Sequence, residues 1–339
     1  MHTIDIHNHF VPPEVVTETR AGTGVDGLRI DRIDGQEWVV HRQGFRWPLH
    51  RTFFEVEERL RAMDGLGIDT AVTSLAPTLF LYGMDDTAAL VDHCTRANDA
   101  LATFSKESGG RIEALATLPM ADPDAAVREL HRAVTGLGFS GAQIGPRVED
   151  VPLDDPGVRP VLRAAAELGV PLVLHPYSPG LRAGLTDFYL TNLVGNPLET
   201  TVCASRLIFS GVLDEMDDLR LVLMHGGGYL PYQIGRLDHG HRVRPESKGC
   251  RMTPSAYLTR FWYDTLTHAP APLEFLVRQV GAGRVVYGTD FPFDMGGGSL
   301  AEQVGEAGFD EGDLARVAGA NAAALFGLDA RTLEPAKEE

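Results

Sequence analysis

Eight short apolar runs recur along a chain of 339 residues: TIDIH near the N-terminus, TAVTSL (70–75), RIEALATLP (111–119), GAQIG (141–145), PLVLH (171–175), LRLVLMH (219–225), FWYDTL (261–266) and RVVYGTD (284–290). Between them lie longer segments such as FEVEERLRAMDGLG, DPDAAVRELHRAVTGLG and PGVRPVLRAAAELG. In these, apolar residues return at helical spacing and a glycine closes the run, as helix C-termini prefer. Strands that alternate with helices pair in parallel through helical crossovers. Eight such units predict an α/β chain folded as a (β/α)8 TIM barrel. No GxGxxG follows the first run, which argues against an open dinucleotide-binding sheet.

Two stretches break the repeat. Residues 11–52 are too long for a simple strand-to-helix loop. Within them, LRIDRIDGQEWVVHRQG alternates like a small antiparallel sheet, so this stretch is expected to be a β-rich insertion capping the barrel mouth. The barrel itself then takes residues 1–10 and 53–330, and 331–339 form a charged tail. The segment PYSPGLRAGLTDFYLTNLVGNPLET, after the fifth run, is expected to line the mouth as well.

Composition narrows the function classes. Apolar residues make up 44% and charged residues 23%, the profile of a folded domain rather than a disordered one. No apolar run reaches 18 residues and no signal-peptide pattern opens the chain, which predicts a cytoplasmic protein. The net charge of −17 argues against nucleic acid or an anionic membrane as partner. It leaves room for a small anionic substrate, because a few local arginines reverse the field inside a cleft. Cys94, Cys203 and Cys250 stand far apart and outside any CxxC pattern, so they read as small buried hydrophobes rather than disulfides or zinc thiolates.

Barrels of this kind gather chemistry at the C-terminal ends of their strands. There the sequence places His7 and His9 on the first strand, His175 on the fifth, His225 on the sixth and Asp290 on the eighth. Strict alternation along the first strand turns Asp5, His7 and His9 one way and Ile4 and Ile6 the other. Imidazoles and a carboxylate converging from four strands predict a mononuclear site for Zn²⁺ or another first-row divalent ion.

Those motifs, together with AMDGLGID, GFSGAQIG, NPLETT, HGGGYLPYQIGRLDHG, YDTLTH and YGTDFPF, resemble the amidohydrolase superfamily. The resemblance is to its decarboxylase branch, typified by 2-amino-3-carboxymuconate-6-semialdehyde decarboxylase, and it extends over nearly the whole chain. It implies that His7, His9, His175 and Asp290 are the metal ligands and that His225 is the unligated acid–base residue. It also implies a carboxylate substrate held by two arginines, one of them reaching across a homodimer. Arg236 matches that second arginine. Arg51 is the best match to the first, with Arg46 a competitor because the register before AMDG is displaced by about one residue. Phe293 resembles a substrate-packing aromatic, and Asn192 stands where the branch carries a tryptophan. Non-oxidative decarboxylation of an unsaturated or aromatic carboxylate is therefore the leading expectation. Hydrolysis of a lactone or amide, hydration of an unsaturated dicarboxylate, and a silent metal-binding barrel are the alternatives.

Overall fold

The computed structural model describes residues 1–42, 44–177, 184–305 and 307–328; the tail expected at 331–339 lies outside them. In chain order the strands are β1 (Ile4–Phe10), β2 (Arg29–Ile33), β3 (Gln36–Val40), β4 (Arg46–Pro48), β5 (Thr70–Leu75), β6 (Ile112–Thr117), β7 (Gly141–Ile144), β8 (Arg147–Val148), β9 (Val151–Pro152), β10 (Leu172–Leu174), β11 (Leu221–Leu223), β12 (Phe261–Asp264) and β13 (Val285–Val286). Eight of these form one parallel sheet in the order β1-β5-β6-β7-β10-β11-β12-β13. They coincide with the eight apolar runs. The sheet closes on itself, since the Ile6 amide donates to the Tyr287 carbonyl at 3.0 Å and the His9 amide to that of Phe291 at 2.8 Å. The result is the expected (β/α)8 barrel.

The crossover helices obey the same local chemistry that betrayed them in the sequence. Val56–Leu66 ends on Gly67 and Arg159–Leu168 on Gly169, each glycine left-handed, the conformation that releases the chain back toward the next strand. Outward-facing strand residues pack under the helices. Inward-facing ones, including Val72, Leu115, Val173, Val222 and Val286, form a separate apolar layer inside the barrel, closed below by Leu325 and Phe326.

Ile4 and Ile6 belong to that inner layer, which corrects the strict alternation expected for β1. A register shift between Asp5 and Asn8 in the pairing with β5 breaks the period. Such a bulge inserts one extra residue and re-aims the side chains beyond it. The isoleucines thus fill the barrel floor while His7 and His9 face the same interior nearer the mouth.

Between β1 and β5 the chain forms the helix Pro13–Arg20 and an antiparallel sheet, β2-β3-β4. Val39, Trp47, Leu49 and Phe53 pack with Leu75, Ala76 and Leu79 at the C-terminal end of β5. The stretch from 11 to 52 therefore carries a helix as well as the anticipated β-structure, and its apolar face rests on the barrel mouth.

Candidate metal centre

His7, His9, His175, His225 and Asp290 meet at the mouth, as their strand-end positions require. One ring nitrogen each of His7, His175 and His225 and an Asp290 oxygen lie within 4.8 Å of one another. His9 Nε2 joins them through Asp290 Oδ1 at 2.9 Å, and His7 Nε2 stands 3.3 Å from the same oxygen. The rings pack edge to face, His7 4.9 Å from His175 and His9 5.0 Å from His175, centroid to centroid.

Backbone contacts fix this geometry. Asp5 accepts from the amides of His7 and Thr289, both at 3.0 Å, and from the Thr289 hydroxyl at 2.7 Å, locking the HxH strand to the Thr-Asp pair that carries Asp290. Gly288 lets these strands approach, since a Cβ there would stand 2.7 Å from that of His7. His225 and Asp290 both hold left-handed backbone, φ 58° and 60°. Non-glycine residues persist there only where the surroundings over-determine them, at a cost of about 1–3 kcal/mol each.

The donor set suits a divalent cation. His7 Nε2 and His175 Nε2 are buried and have no hydrogen-bond partner, although each ring is anchored through its other nitrogen: His7 Nδ1 lies 2.6 Å from Asp264 Oδ2, and His175 Nδ1 2.6 Å from the Pro176 carbonyl. Metal-binding imidazoles are oriented in this way. Burial pushes His9 down to about 4 and His175 to about 3, so both keep free lone pairs. Burial acts on His7 in the same sense, but Asp290 and Asp264 outweigh it and raise its pKa to about 10. Asp290 is held well below the usual carboxylate range: its burial opposes ionisation, and His7, His175 and His225 prevail. A cluster this negative draws in positive charge, and a metal competes for it with the His7 proton.

A cavity of about 670 Å³ opens beside His175 and Asp290. Its walls include Arg46, Trp47, Tyr189, Asn192, Phe293 and Met295. Phe293 packs 5.2 Å from the His9 ring and 5.4 Å from Trp47. Arg46, an aromatic wall and two members of the His/Asp cluster, His175 and Asp290, thus line one space.

The amidohydrolase family profile matches residues 4–328. The chain belongs to the amidohydrolase family. A 2-amino-3-carboxymuconate-6-semialdehyde decarboxylase of Dictyostelium discoideum is 33% identical over 334 residues, covering 96% of this chain and 92% of that relative. A gamma-resorcylate decarboxylase of a Rhizobium species is 32% identical over 341 residues, 96% of this chain and 98% of the relative. The crystal structure of a dihydroxybenzoic acid decarboxylase from Polaromonas, with bound manganese and the inhibitor 2-nitroresorcinol, matches with a TM-score of 0.75 at 26% identity, covering 98% of this chain and 99% of that one. Within the amidohydrolases, the chain belongs with the metal-dependent decarboxylases.

Not every anticipated residue of this amidohydrolase reaches the cavity. Arg51 does not: its side chain is 67% exposed and is engaged by Glu55 and by Glu58, the latter at 3.1 Å. The three-residue turn Arg51–Phe53 points it along the outer face of the next helix, toward those carboxylates. Arg46 on β4 lines the cavity instead, its guanidinium 5.3 Å from the Trp38 ring. Arg236 is exposed on the helix Leu230–Val243 and does not line the cavity. Sequence reasoning missed Asp264 and the pair Ser74 and Gln143. Ser74 Oγ stands 3.4 Å from His9 Nδ1 and donates to Gln143 Oε1 at 2.8 Å. Asp264 carried the available signal, a strand-end aspartate in YDTLTH.

Proposed function

We propose that this amidohydrolase removes CO₂ without oxidation from an unsaturated or aromatic carboxylate. The curated relatives are named for 2-amino-3-carboxymuconate-6-semialdehyde and gamma-resorcylate, and these define the substrate class to test. The observation that carries the reading is one cavity lined by Arg46, an aromatic wall and, from the His/Asp cluster, His175 and Asp290.

His7, His9, His175 and Asp290 are assigned as ligands of one first-row divalent ion, Zn²⁺ or the manganese found in the Polaromonas relative. When bound, the ion supplies Lewis-acid charge that offsets negative charge developing on the substrate. His225 is assigned as the acid–base residue. Its side chain is 15% exposed, whereas His7 and His9 are sealed and His175 shows 6%; it lines a second cavity of about 550 Å³ that shares Asn192, Asn196 and Met295 with the first. Arg46 grips a carboxylate, for which a guanidinium fork is suited. Phe293 and Trp47 clamp the unsaturated plane, and Asn192 leaves room where a tryptophan would narrow the pocket. The segment 11–52 covers the site and excludes water.

His225 delivers a proton to the unsaturated carbon that bears the scissile carboxylate. The C–CO₂ bond then breaks, its electron pair restores the π system, and CO₂ leaves with the proton retained on carbon. Alignment of that bond supplies much of the rate.

A second copy of the chain is assigned to supply Arg236, making the enzyme a homodimer of cytoplasmic origin. A fully active monomer in sedimentation contradicts that part. The chemistry is tested by a screen of muconate-type and hydroxybenzoate carboxylates with CO₂ detection. One CO₂ per substrate is expected, and His225→Ala should lower kcat about 10²–10⁴-fold while retaining metal. Product formed by water uptake without CO₂, or a near-normal kcat in that variant, overturns the assignment.

A further inference from the structure

Asp264 is completely buried at the end of β12, and the two oxygens of its carboxylate serve different parts of the site. Oδ2 lies 2.6 Å from His7 Nδ1, and Oδ1 accepts the Gly226 amide at 2.6 Å. Gly226 follows His225 directly and is itself left-handed, φ 60°. One carboxylate therefore touches a proposed metal ligand on one side and the turn that presents the proposed acid–base histidine on the other.

We infer that Asp264 is a positioning residue that fixes the tautomer of His7 and the turn of His225 together, and so sets the affinity of the metal site. This rests on the ligand assignment made above. The reasoning is one of hydrogen-bond polarity. A backbone amide can only donate, so the oxygen facing Gly226 must accept. An ionised carboxylate has acceptors alone, so the other oxygen requires a proton on His7 Nδ1. When a metal displaces the second ring proton, His7 Nε2 presents its lone pair, and this is the buried, partnerless nitrogen that faces Asp290.

An amide at position 264 reverses the logic without changing the shape. In Asp264→Asn the single side-chain oxygen must serve Gly226, and the amide NH₂ faces His7 Nδ1. His7 can satisfy it only by accepting, which moves the ring proton to Nε2 and into the ligand position. With the amide turned over, two donors confront each other at Gly226. Asp264→Ala leaves the Gly226 amide unpartnered but imposes no tautomer on His7.

The two variants consequently separate polarity from structural support. A purely structural role predicts that the isosteric Asn is the milder change. Polarity predicts the opposite order for metal affinity. Mn²⁺ binding is measured by equilibrium dialysis on the full chain, alongside the thermal midpoint of each variant. Removal of a residue that orients a metal ligand costs about 10–100-fold in affinity. Asp264→Ala is expected near the lower end of that range and Asp264→Asn near the upper end, although Ala is the less stable protein. Asn binding Mn²⁺ as well as Ala, or as well as the parent, overturns the inference while leaving the ligand assignment intact. A parent chain that binds no Mn²⁺ overturns both. Should the variants not fold, the ¹⁵N imidazole spectrum of the Zn²⁺-loaded parent decides: the His7 proton is expected on Nδ1, and a proton on Nε2 refutes the proposal.

Discussion

The two arginines before the second barrel strand show how much chemistry one residue of register decides. Arg51 is held at the surface by Glu55 and Glu58, while Arg46 lines the cavity beside Trp47. Exposed ion pairs add little to stability because solvent screens them, so Arg51→Ala should leave the thermal midpoint and the kinetics close to those of the parent. Loss of a charge-assisted hydrogen bond to substrate is worth about 1.5–3 kcal/mol, so Arg46→Ala should raise KM about 10–100-fold with a smaller change in kcat. Steady-state kinetics on the best substrate of the screen reads both; the reverse pattern restores Arg51. The sequence could not choose between them because neither lies at the end of a barrel strand, where position dictates direction. The five His and Asp residues of the cluster were legible for the opposite reason: each ends an apolar run, and barrel strands point their ends at one mouth. Asp264 ends such a run too, but its partners depend on which face of β12 turns inward, and that is settled only when the barrel closes.

At the scale of elements, the bulge in β1 and the sheet β2-β3-β4 matter most. The bulge was hidden because alternation is the default of any strand, and only the pairing with β5 reveals the extra residue. The small sheet was legible from its own alternation, yet its dependence on a buried histidine was not. His41, at the end of β3, is buried, stacks on Phe45 at 3.9 Å and lies 3.4 Å from Trp47 Nε1 through its own Nε2. Burial pushes its pKa down to about 3 from the usual 6.5. Below pH 6.5 the unfolded chain takes up a proton that the folded chain refuses. The stabilising contribution is therefore complete above pH 6.5 and is lost as pH falls toward about 3, at up to ~1.4 kcal/mol per pH unit. Denaturant unfolding at pH 6.5 and pH 5 should show His41→Gln losing about 2 kcal/mol less than the parent over that interval. Equal losses in the two proteins would place the acid sensitivity elsewhere.

Over the whole molecule, barrel closure makes neighbours of residues as distant as His7 and Asp290, 283 positions apart. The C-terminal Thr-Asp pair seals the last strand to the first through Asp5, so the contacts that complete the fold also complete the site. Stability and function are coupled here by construction: His7, His9, His175 and Asp290, buried at one point, are costly alone, and the proposed shared cation reconciles them. Arg236, exposed on the helix Leu230–Val243, is where a second copy is proposed to meet this one, and the sequence signalled it only by resemblance. The most direct measurement is anomalous diffraction from crystals of the Mn²⁺-loaded protein, collected for the manganese signal. One strong peak is predicted within bonding distance of His7, His9, His175 and Asp290, with His225 beside it but unbonded; a protein saturated with Mn²⁺ that shows no peak there, or holds its ion elsewhere, contradicts the assignment.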